Sequence, residues 1–372
     1  MSRYAYWIAA LLFAALVLAK FDPQTGFTSL IRFGAPWQER RHSALQDLPL
    51  ATVEESGGYD GQFYAQIALD PLLRNAELER VIDAPAYRAR RILAPAVAAI
   101  AGFGNPWLTL QAYALLNVLC WFVLGWLLHR QLAPADDLAF ARWAGCMFSM
   151  GALESVRQSL VDLPALLLLA LAITAWPKPP GKRPSLWLCL ASLAKETSLL
   201  GALALHFEKS PRPFPWLRVG LSLLITILPI AAWAFYVGRR FADTPSPAGF
   251  GNFSWPLMGL FAQTKQSLRE LFLGNFGGRF AFSLIAIIGF LIQAAFYWHR
   301  PRFESPWWRV GAAYSLLFVF LGSWVWSGYW AVCRAVLPMT VAFNLLLPAT
   351  RAFWPLWTLG NLTMLHAIWR FL

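Results

Sequence analysis

Charge is what this sequence lacks. Asp, Glu, Lys and Arg make up 13% of its 372 residues, where a water-soluble domain carries roughly 25%. Too little polar surface remains to cover a soluble fold of that length. Cysteine is scarce as well. Cys120, Cys146, Cys189 and Cys333 lie singly in or beside apolar runs, without the spacing of metal ligands, and read as small core residues. There is no GxxxxGK[ST], which excludes ATP use of the P-loop kind. No HExxH and no Cys/His cluster speaks for zinc. The five histidines are dispersed, and His129, His206 and His299 read as interface residues at helix ends. No alternating ten-residue pattern of an outer-membrane barrel occurs, no internal repeat is found, and no soluble domain is expected at either end.

What is present is apolar. Hydrophobic residues reach 58% and aromatics 16%, and runs of about 20 residues, the length that spans hydrocarbon as a helix, recur along the chain. Clear examples are residues 4–19, 108–128, 216–237, 280–297 and 310–326. The expectation is an all-α integral membrane protein of about eleven spans, forming a single membrane domain over residues 1–372. Residues 1–20 read as a retained anchor rather than a cleaved signal. The net charge of +12 does not point to nucleic acid, because the basic residues are scattered in short clusters between apolar runs.

Those clusters set an orientation. Lys178, Lys182 and Arg183, then Lys209, Arg212 and Arg218, then Arg300, Arg302 and Arg309, then Arg351 fall in short basic loops, which the positive-inside rule places in the cytoplasm together with the N-terminus. The loops of mixed charge, residues 21–91, 151–161 and 238–279, are then expected outside. Two consequences follow. A helical hairpin should span residues 142–176 with its tip at 154–162, and residues 185–207 should form two short helices breaking near Lys195-Glu196. Residues 92–103 read as half-inserted and 255–272 as an amphipathic surface helix.

The densest polar segment is ESGGYDGQFYAQIALDP, residues 55–71, followed by AYRARRILAP, residues 86–95. Glycines flank Asp60, and residues 62–69 read as a short juxtamembrane helix. Asp60 is either the N-cap of that helix or a functional carboxylate. Asp70 before Pro71 reads as a helix stop. Arg88, Arg90 and Arg91 read most simply as interfacial charges near lipid headgroups, with phosphate binding as the second reading. Within or at the outer edge of apolar segments stand Glu154, Arg157, Asp162, Lys195, Glu196 and Arg334. A charge at the centre of a spanning helix costs about 2.5–3.5 kcal/mol, so such residues pair or serve a polar cavity. The structural reading pairs Lys195 with Glu196 and Arg157 with Asp162. The functional reading notes that all six, with Asp60, fall on the outward side.

GGYDGQFY followed by YRARRILAP resembles the GT-C superfamily, polytopic glycosyltransferases that take a sugar from a polyprenyl-phosphate carrier. The order of later features is similar to that family too: a hairpin tip with Arg157 and Asp162, a broken helix at LAKETSLL, and an arginine before a proline in CRAVLP. The resemblance implies transfer to a glycan or lipid acceptor at the outer face of a bacterial inner membrane, with inversion. It implies Asp60 as general base, and Arg334 and Lys195, with Arg157 or Arg91 in reserve, on the donor phosphate. Asp162, Glu196, Tyr59, Gln62 and Tyr64 are assigned to positioning substrate. A single Asp stands in the loop motif and no DxD is present, so no metal or cofactor is implied; the partners are membrane lipids, the lipid-phosphate sugar and the acceptor. A transporter or flippase for a lipid-linked or anionic substrate is the alternative, since buried charges and a broken helix suit it equally. A scaffold for envelope assembly has no need of converging charges.

Overall fold

The computed structural model describes residues 2–134, 136–175, 182–206, 215–244, 249–276 and 278–372. Of the basic loop residues, Lys178, Lys209 and Arg212 lie outside the described residues, as do the side chains of Lys182, Arg183, His206 and Arg218. Helix accounts for 70% of the chain and strand for almost none, so the class is all-α.

Three helices are long and apolar enough to cross a membrane: Pro106–Gln131, Gly220–Arg240 and Gly278–His299. A fourth candidate is a bent pair, Tyr329–Ala335 and Leu337–Leu346, with a 64° angle between them. Pro338 explains the bend, since it lacks the N–H that would carry the helical bonding past Arg334. Shorter apolar helices, Tyr4–Leu18, Asp162–Ala175 and Ser185–Ala194, complete the apolar set. Leu221, Leu224, Ile227 and Leu228 on one long helix, and Trp7, Ile8 and Leu11 on the first, are exposed. Apolar side chains turned outward in such rows suit lipid rather than water.

Several helical expectations meet the structure directly. The run 108–128 becomes Pro106–Gln131, opened by the Asn105 side chain, which accepts from the Leu108 N–H at 3.1 Å. The segment at 185–207 is broken, with helices Lys182–Ala194 and Ser198–His206 meeting at Lys195–Thr197. The surface helix is Met258–Phe272, and it buries Gly259, Gln263 and Ser267 while Met258, Phe261, Leu268 and Phe272 stay exposed. Its exposed surface also carries Lys265, Gln266 and Arg269, so it presents apolar and charged side chains together.

Two expectations are corrected. The apolar run 310–326 is not one helix: Pro306–Val319 stops at a turn, residues 320–322 are non-helical, and a four-residue helix, Ser323–Trp326, follows. A backbone bridge between Leu321 and Phe253 takes the bonds that a continuous helix would have used. The first arm of the hairpin is also divided, into Asp137–Met147 and Met150–Arg157.

The first long loop, residues 21–91, is folded. It packs Leu30, Ile31, Phe33, Leu73, Leu78 and Val81 into the common core. Phe33–Gly34 pairs in parallel with Thr52–Val53, and Phe33 also bridges Gly58. These pairings and core contacts tie the loop to the helices.

Candidate functional site

Asp60 reaches its position through two glycines. Gly58 adopts φ +74°, and a Cβ there would stand 2.5 Å from the Arg32 carbonyl oxygen. A side chain at Gly61 would collide with the Gln158 carbonyl, so only glycine lets helix Gly61–Ile67 lie against the hairpin tip. Gln62 completes the turn. Its Oε1 accepts from the Gly34 N–H at 3.1 Å and its Nε2 donates to the Gly57 carbonyl at 2.8 Å. The amide assigned to substrate is thus spent on the loop itself.

The hairpin tip is fixed from the other side. Tyr113 and Asn117 of the long helix donate to the carbonyls of Ser159 and Leu160, each at 2.8 Å. Ser159 Oγ donates to the Leu30 carbonyl at 3.0 Å. Hydrogen bonds of this kind contribute about 0.6 kcal/mol each between membrane helices, so several are needed to define one position. They set Asp162, the first residue of its helix, beneath the loop.

The carboxylate of Asp60 does not cap its helix, although the residue occupies the N-cap position. It pairs instead with Arg88 at 3.0 Å and stands 3.9 Å from Arg334. Arg88 is held in turn by both oxygens of Asp83, at 3.0 and 2.8 Å. Arg334 donates to the Tyr59 hydroxyl at 2.9 Å and lies 3.3 Å from Asp162, which accepts from Lys195 at 2.5 Å. Asp60, Tyr59, Asp162, Lys195 and Arg334 therefore form one connected network built from four separate parts of the chain. A small cavity borders it, lined by Asp162, Lys195, Thr197, Tyr314, Arg334 and Pro338. Asp60 joins the network through Arg334 and is not among the cavity's lining residues.

The sequence neighbours are not the partners. Lys195 pairs with Asp162, while Glu196 pairs with Arg91 at 2.9 Å. Arg157 lies 3.6 Å from Glu154, not against Asp162. Arg91 also donates to the hydroxyls of Tyr64 and Tyr87, at 2.8 and 2.7 Å. Arg88 and Arg91 are thus buried ion-pair members rather than headgroup contacts, and only Arg90 of the three is exposed. Both acids of the network face cations, but they differ in access. The Asp60 side chain is 24% exposed and that of Asp162 only 5%. A substrate group can reach the first and hardly the second.

Burial alone would push the Asp60 carboxyl up, but Arg88 and then Arg334 outweigh it and hold the carboxyl below its usual range. Burial pushes the Tyr59 and Tyr64 hydroxyls up to about 12, so both keep their protons.

Asp83, Arg32 and Arg370 are functional candidates that sequence reasoning missed, and it named Arg88 without foreseeing its pairing with Asp60. Arg88 and Arg91 are three residues apart, the spacing that turns two side chains to one face of a helical turn; Arg370 carried no comparable signal. Among the described residues, no group of three His, Cys, Asp or Glu side chains is placed to hold a metal ion. Compared with family models, curated proteins and solved structures, the chain matches none.

Proposed function

We propose that the protein is a membrane glycosyltransferase that moves a sugar from a polyprenyl-phosphate donor to a hydroxyl acceptor at the outer membrane face. The observation that carries this reading is the state of Asp60: an accessible, ionised carboxylate, released from helix capping and held between Arg88 and Arg334. On this reading the short and broken helices complete a GT-C-like bundle of about eleven crossings in a bacterial inner membrane, with the N-terminus inside and the site outside.

The chemistry follows from charge. The acceptor hydroxyl gives its proton to Asp60 as its oxygen forms a bond to the anomeric carbon from the face opposite the phosphate. The bond from that carbon to the phosphate oxygen breaks, and its electron pair leaves with the lipid phosphate, so configuration inverts. Arg334 and Lys195 stabilise the departing charge. Asp162 holds both cations in the resting state, so the donor phosphate shares Arg334 with Asp162 rather than meeting a bare cation. A carboxylate with a lowered pKa is a weak base, which suits a step whose leaving group departs early and whose proton moves late.

The cavity at the helix break, where the Tyr314 hydroxyl donates to the Thr197 carbonyl at 2.9 Å, favours a second reading, a transporter of an anionic lipid. Incubating the purified protein with polyprenyl-phosphate sugars and an acceptor separates the two. A transferase releases free lipid phosphate, and a transporter leaves the donor intact.

A further inference from the structure

A second cluster of charge lies beside the first and is out of balance. Glu154, at 1% exposure, pairs with Arg370 at 2.6 Å and with Arg157 at 3.6 Å. Arg32 is close enough to feel the charges of both Glu154 and Arg370, and it makes no ion pair among the described residues. Two guanidinium groups thus contact one carboxylate and a third lies within electrostatic reach of it, so that among the described residues the cluster holds more positive than negative charge. Uncompensated charge in a partly desolvated site is costly. By contrast, the Asp60–Asp162 network matches its cations with carboxylates.

The cluster is built, not accidental. Arg32 takes φ +60°, a left-handed conformation that strains a non-glycine residue. Its carbonyl accepts from the Tyr59 N–H at 3.1 Å, so the turn that presents Asp60 also presents Arg32. Arg370 lies over the Trp330 ring at 4.8 Å and donates to the Tyr329 hydroxyl at 3.1 Å. Arg157 and Arg370 keep 24% and 20% of their side chains exposed, so a ligand can reach them while Glu154 stays covered.

We propose that Arg32, Arg157 and Arg370 form a second anion site, separate from the Asp60–Asp162 network, that takes a phosphate monoester or diphosphate carrying about two negative charges. Arg157 thereby moves from the donor phosphate, where the sequence placed it, to this site. The charge fits a phosphorylated lipid headgroup or a free phosphate, and the flat guanidinium forks fit its oxygens.

The test is binding without turnover, so it stands apart from sugar transfer. Native mass spectrometry on the full-length protein in detergent compares dioleoyl phosphatidic acid, a phosphomonoester lipid, with dioleoyl phosphatidylcholine. The expected result is one tightly held phosphatidic acid per chain, with affinity falling at least ten-fold in Arg32→Gln and in Arg370→Gln. Inorganic phosphate at millimolar concentration that displaces the lipid assigns a free phosphate; failure to displace it assigns a lipid headgroup. Glu154→Gln removes the internal counter-charge and should tighten binding, an outcome that loss of fold cannot imitate. Arg32→Lys, which keeps the charge, should retain it. Equal binding of the two lipids, or unchanged affinity in both Arg→Gln variants together with no gain in Glu154→Gln, overturns the proposal.

Discussion

Arg91 and Glu196 stand 105 residues apart in the chain and 2.9 Å apart in the fold. Their ion pair ties the first long loop to the break in the helical pair Lys182–Ala194 and Ser198–His206, and Arg91 is held further by Tyr64 and Tyr87. Removing one partner leaves the other charge uncompensated in a partly buried place. Arg91→Gln or Glu196→Gln should each cost about 3 kcal/mol, and the double variant should cost clearly less than their sum. Thermal unfolding of the four proteins in one detergent measures this; strict additivity would mean that the pair does not couple.

Gly61 has no room for a side chain against the Gln158 carbonyl. Gly61→Ala should destabilise the protein by about 1–3 kcal/mol and lower transfer more than Gly57→Ala, where a Cβ meets nothing. Melting temperature and turnover measured together check this. An equal effect at both positions would show that the loop does not need its close approach to the hairpin tip.

Asp60 has its pKa lowered, with Arg88 and Arg334 outweighing burial. A depressed carboxyl contributes stability above its unfolded value of about 3.9, and that contribution is lost as pH falls through the lower folded value. Between pH 5 and 8 Asp60 therefore stays ionised, and transfer should show no acidic limb from this residue in that range. The pH profile of kcat/KM, compared with thermal stability down to pH 4, checks it. A limb near pH 6 that vanishes in Asp60→Glu would contradict the assignment.

Arg88 contacts Asp60 directly, is held in place by Asp83, and does not itself line the cavity beside Arg334. Arg88→Lys loses the two-pronged hold on Asp83 and should lower kcat about ten-fold while leaving KM for the donor within about two-fold. Steady-state kinetics with a saturating acceptor decides it. A rise in donor KM alone would place Arg88 on the donor instead.

Hydropathy made the long helices legible, because lipid-length apolar runs such as 108–128 and 280–297 have one solution. It did not reveal the break at residues 320–322, where a bridge to Phe253, far along the chain, replaces helical bonds. Glycine-flanked Asp60 was legible as a special position; the choice between cap and free carboxylate was not, because it depends on Arg88 and Arg334 arriving from elsewhere. The pairing of Lys195 with Glu196 and of Arg157 with Asp162 misled for a physical reason. Adjacent residues on a helical path point in different directions, so Lys195 and Glu196 found partners on other elements, while Arg157 met Glu154 three residues back on its own helix.

The central claim is that Asp60 accepts the proton of the attacking hydroxyl. The most direct measurement is the release of free lipid phosphate from a polyprenyl-phosphate sugar by purified wild-type and Asp60→Asn proteins of equal thermal stability. The account predicts acceptor-dependent release by the wild type, and a loss of about 100-fold or more in the variant with donor binding retained. Release by Asp60→Asn at the wild-type rate would contradict it.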